Sequence, residues 1–75
     1  MNTKTLYELG TEYLQQADIL RRQIAALREK LRRINPLSKE AYKIKSVLSV
    51  LYRQRSEAVQ TGTALINYYG REKTV

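Results

Sequence analysis

Apolar or small residues recur at positions 6, 10, 13, 17, 20, 24, 27, 31 and 34, alternately four and three residues apart. That spacing is a heptad repeat. It commits the segment to an α-helix with one apolar seam, because only a helix brings such positions onto one side. With 10, 17, 24 and 31 as a positions, the d positions are 6, 13, 20, 27 and 34. After Asn35-Pro36 the repeat resumes, with d at 37, 44, 51, 58 and 65 and a at 41, 48, 55, 62 and 69. A residue before proline avoids the α region, so the first helix ends there. The pattern predicts an all-α antiparallel two-helix hairpin, a coiled coil, in one domain spanning 1–75. Its expected parts are a helix over 4–34, a turn over 35–38, a second helix over 38–69 and a short tail over 70–75. Thr5 and Glu8 form a T-x-x-E capping box at the first start. Either Ser38, or Asn35 with Pro36 at the first helical position, can cap the second helix. Gly70 is the expected C-terminal cap.

Seventy-five residues with no cysteine and no histidine cannot use a disulfide or a Cys/His zinc site for stability. Chains of this size rarely bury enough apolar surface alone, so self-association is expected. No apolar run approaches the roughly 20 residues of a membrane span. The opening MNTKTLYELG has no apolar core and is not read as a secretory signal. The expected location is cytoplasmic, with no membrane partner.

In an antiparallel pair, a of one helix shares a layer with d of the other. Near the turn this pairs Ile34 with Ala41, Leu31 with Ile44, Leu27 with Leu48 and Ile24 with Leu51. Further out, Ala17 meets Ala58, Tyr13 meets Gly62 and Gly10 meets Leu65, so large faces small at both glycines. One layer sets Leu20 against Arg55. There Arg55 either carries its charge to the edge along an apolar stem or pairs with a carboxylate of a partner chain. The e positions of both helices fall on one side. They make an apolar strip of Tyr7, Leu14, Tyr52, Val59 and Ile66 along the open half, and turn basic at Arg21, Arg28 and Lys45. Such a strip marks an interface. The expected partner is a second copy, giving a homodimeric antiparallel four-helix bundle with the turns pointing apart.

The charge is uneven. Residues 21–45 hold nine Lys/Arg and two acids, which accounts for the whole net charge of +7. A basic concentration of this kind favours an anionic partner. Arg21, Arg28, Arg32, Arg33, Lys43 and Lys45 are the candidate nucleic-acid-binding residues. Guanidinium suits phosphate better than ammonium does, and Tyr42 lies beside three lysines where a base could stack. The alternatives are a solvated face and a surface for an acidic protein partner. No base-reading motif is present, so any binding is expected to be non-specific. Catalysis is not expected. There is no histidine or cysteine base or nucleophile, the carboxylates fall at outward positions, and the lone glycines form no phosphate loop. No cofactor, metal or small-molecule substrate is expected.

The run Leu20-Arg21-Arg22-Gln23-Ile24, then Leu27-Arg28, and the ending Tyr68-Tyr69-Gly70-Arg71, resembles short uncharacterised helical-hairpin proteins of Firmicute genomes and mobile elements. The resemblance implies an association with mobile-element or transcription-related genes. It implies no activity and carries over no functional residue.

Overall fold

The computed structural model describes residues 5–74, with side chains for 5–68. Helix α1 runs Leu6–Arg33 and helix α2 runs Lys39–Thr74, packed antiparallel, with no strand among the described residues. At 1.5 Å per residue these are rods of about 42 and 54 Å, and the molecule measures 56 × 25 × 15 Å.

Local chemistry sets the ends. The Thr5 hydroxyl accepts the Glu8 N–H at 3.0 Å and satisfies a donor that the helix start would leave open. Ile34 leaves the helix in an extended conformation, two residues before the proline. The choice between the two caps falls to Ser38, whose Oγ accepts the Ala41 N–H at 3.1 Å. Asn35 supports the turn instead. Its Oδ1 accepts the Leu37 N–H at 2.9 Å, and its carbonyl accepts both the N–H and the hydroxyl of Ser38. At the far end the expected stop at Gly70 does not occur, and α2 continues to Thr74. A glycine mid-helix costs about 1 kcal/mol relative to alanine, which a flanking run of helix formers can absorb.

The core follows the seam. Ala17, Leu20, Ile24, Ala41, Ile44, Leu48 and Ala58 are its buried apolar side chains. Near the turn, Leu27, Leu31, Ile34 and Leu51 pack against Ile24, Ile44 and Leu48, the set the layering predicts. Lys30 reaches across to Glu40 at 3.1 Å. Both are g positions, so the g edges adjoin and the register is fixed there.

The open half departs from the predicted layers. Gly10 does sit against Leu65, but both glycines also face each other. A Cβ built on Gly10 would stand 2.8 Å from the Gly62 carbonyl oxygen, and one on Gly62 would stand 2.8 Å from the Gly10 oxygen. Small therefore faces small, and the backbones come close. The large residues that fill this crossing are the e-position Leu14 and Ile66, which lie over the opposite glycine. Tyr13, the layer partner expected at Gly62, is partly exposed.

Candidate nucleic-acid interface

Among the described residues no charged side chain is buried and no acidic group has the clustering of a metal site. No helix is long and apolar enough to cross a membrane. The largest asymmetry on its surface is charge, concentrated in residues 21–45.

Acids near the turn are shared among the bases. Asp18 takes Arg21 and Arg22, each at 2.9 Å. Glu29 takes Arg32 and Arg33, each at 3.2 Å. These are i,i+3 and i,i+4 pairs on exposed helix surface, where water and salt screen them. Each trio keeps a charge of +1. The hydrogen bond from Arg21, together with the Arg22 charge, holds the Asp18 carboxyl below its ordinary value. Lys30, Arg32 and Arg33 also occupy the last turn of α1, where cations suit the helix dipole.

The predicted site residues thus divide. Arg21, Arg32 and Arg33 are held by neighbouring carboxylates. Arg28, Lys43 and Lys45 make no ion pair among the described residues. Arg21, Arg28 and Lys45 lie along the e edge, Arg32 lies beyond them, and Lys43 and Arg33 are on the opposite side of the turn.

One residue outside the basic segment joins the e edge. Arg55 stands at an a position, half-buried, and its stem leads out between the helices on that side. It lines an open groove of about 250 Å3 with Arg21, Arg28 and Tyr52, floored by Ile24 and Ala25. It also lines the next groove, about 190 Å3, with Leu14, Asp18, Arg21 and Val59. Arg55 makes no ion pair among the described residues. Three guanidiniums therefore border one concave surface, with Asp18 as its nearby acid. Sequence spacing places Arg55 in the core seam and leaves its direction open, so the groove is not legible from it. The available signal is the missing layer partner, since Leu20 offers nothing to a charge.

The apolar strip is present in part. Tyr7, Tyr52 and Val59 are exposed, whereas Leu14 and Ile66 are half-buried because they fill the glycine crossing. Tyr52 borders the arginines. Tyr42 projects into solvent away from the groove. Compared with protein-family models, curated proteins and solved structures, the chain matches none.

Proposed function

We propose that this protein is a small non-enzymatic module of the cytoplasm that binds the phosphate backbone of nucleic acid without reading its sequence. It works as a homodimeric four-helix bundle. Arg28, Lys45 and Arg55, with the carboxylate-held Arg21, contact phosphates from the e edge, while Arg32, Arg33 and Lys43 add charge around the turn. The observation that carries this reading is the Arg21–Arg28–Arg55 groove, in which two guanidiniums have no acidic partner among the described residues. Like charges gathered on a concave surface repel one another until an anion occupies it.

The test is a salt titration of labelled DNA and RNA oligonucleotides by fluorescence anisotropy. Four unpaired cations, Arg28, Lys43, Lys45 and Arg55, give a slope of about −3.6 in log K against log salt on duplex DNA. Affinity should fall roughly 150-fold between about 50 and 200 mM salt. Arg28→Glu with Lys45→Glu should abolish binding at unchanged helicity. An acidic protein partner becomes the better reading if neither nucleic acid binds at the lower salt.

A further inference from the structure

The face opposite the arginine groove is apolar and nearly uncharged along its middle. Around the g edge, Tyr13, Ile19, Val47, Val50 and Tyr68 are all exposed. On the e edge, by contrast, Leu14 and Ile66 are taken up by the glycine crossing. An open groove of about 500 Å3 is on this side and is lined in part by the buried Leu20 and Ala58.

We infer that this g face is the homodimer interface, covered by a second copy of the chain running antiparallel to the first. The inference rests on the dimer in the reading above and not on its ligand. Area supports it. The chain exposes 6182 Å2, about 1,400 Å2 more than a compact monomer of its mass would. A standard interface removes about 800 Å2 from each partner, so one such contact takes up more than half of the excess.

Charge selects both the occupant and its direction. The open half of this face carries Glu57, and the turn half carries Lys43 besides the self-cancelling Lys30–Glu40 and Arg33–Glu29 pairs. An antiparallel copy brings each acidic half toward a basic one. A parallel copy would stack the two basic turns. Pairing through the e edge would instead bring Arg21 and Arg55, near the middle of the rod, against their own copies. With the g faces joined, both arginine grooves remain open on the outside of the bundle.

The chain has no cysteine, so single cysteines report cleanly. Val50 on the g face and Val59 on the e edge are equally exposed in the hairpin, at 41% and 37%. In a protein that sediments as a dimer, Val50→Cys should react with a thiol reagent about tenfold more slowly than Val59→Cys, the ratio for nine copies in ten paired. Spin labels on Leu37→Cys, a turn position 93% exposed, should be separated by a distance comparable to the 56 Å length of the rod. These variants are conservative enough to keep the fold, which circular dichroism checks. A monomer at tens of micromolar overturns the inference. So does protection of Val59→Cys instead, or a label separation below half the rod length. The g-face dimer stands or falls on these readouts whether or not the protein binds nucleic acid.

Discussion

Alanine at Gly62 sets two effects of opposite sign against each other, and the structure decides between them. On helix propensity alone, Gly→Ala in a helix interior stabilises by about 1 kcal/mol. For a domain of this size that raises Tm by about 4–8 °C. The crossing works against it. The new Cβ would stand 2.8 Å from the Gly10 carbonyl oxygen and 3.0 Å from two carbons of Leu14, where ordinary contact begins at 3.4 Å. Leu14 can rotate away, but a helix carbonyl cannot. The helices must then separate by about 0.6 Å, a gap that forfeits a quarter to a half of each contact's attraction. Leu14, Leu65 and Ile66 all pack at this level. Overpacking of this kind costs about 1–3 kcal/mol.

The net expectation for Gly62→Ala is a loss of about 1 kcal/mol and a Tm lower by about 4–8 °C. Gly10→Ala should cost at least as much, since its Cβ meets the Gly62 oxygen at 2.8 Å, Ile66 Cγ1 at 2.8 Å and Leu65 Cβ at 3.2 Å. The double variant should be less destabilised than the sum of the two, because one separation relieves both clashes while each alanine keeps its propensity gain. Thermal melts by circular dichroism at one fixed protein concentration measure all three, since a dimer's Tm depends on concentration. A rise in Tm for both single variants would refute the close crossing and leave propensity in charge.

Four further outcomes follow from particular contacts. Arg55→Met keeps the apolar stem and removes the charge, so the salt slope of duplex binding should shrink by about 0.9 while the melting curve does not fall; an unchanged slope takes Arg55 out of the site. Ser38→Ala removes the acceptor of the Ala41 N–H and should cost about 1 kcal/mol, read from urea denaturation. Gly70→Ala should raise the helical signal at 222 nm, because α2 runs through that position; a lower signal would restore the left-handed cap. Finally, the Asp18 carboxyl is held below its ordinary value by Arg21 and Arg22. Its contribution is therefore present above the unfolded pKa, near 3.9, and lost as pH falls through the lower folded value. With no histidine or cysteine in the chain, stability and binding should both be flat from about pH 5.5 to 7. A midpoint in that window would contradict the assignment.

Large side chains made the turn half legible. Ile24, Leu27, Leu31, Ile44, Leu48 and Leu51 each have one direction that buries them, so the a and d letters alone name their neighbours. The open half has Gly10, Ala17, Ala58 and Gly62 in the same letters. A glycine has no side chain to declare a preference, and a layer can close on it from several sides. The crossing is thus set by the backbone, and Leu14 and Ile66 are recruited to it from the edge. That is also why the strip read from the e positions is smaller in three dimensions than on paper. Gly70 is a related case, since glycine is permitted in the left-handed region but not confined to it.

The g face escaped the heptad for a different reason. The repeat treats c positions as outward, yet Ile19 and Val50 occupy two of them, next to Val47 at g. A helix facing a globular core carries an apolar stripe of 100° or more, wider than the a/d seam of a two-stranded coil. Stripes this wide on both helices, extending to the same side, exceed what a hairpin buries whose core among the described residues is three alanines and four leucines or isoleucines. The proposed four-helix arrangement, in which that side is interior, would account for them. On the other side, the charges that a two-helix reading treats as one basic end resolve into a set held by Asp18 and Glu29 and a set that is not. Arg28 and Arg55 of the second set border a groove together with the held Arg21. The apolar excess and the charge excess thus lie on opposite lateral faces. A chain of this length can then bury the one against its own copy while keeping the other in water, and Lys43, at the turn, is the residue that stands in both.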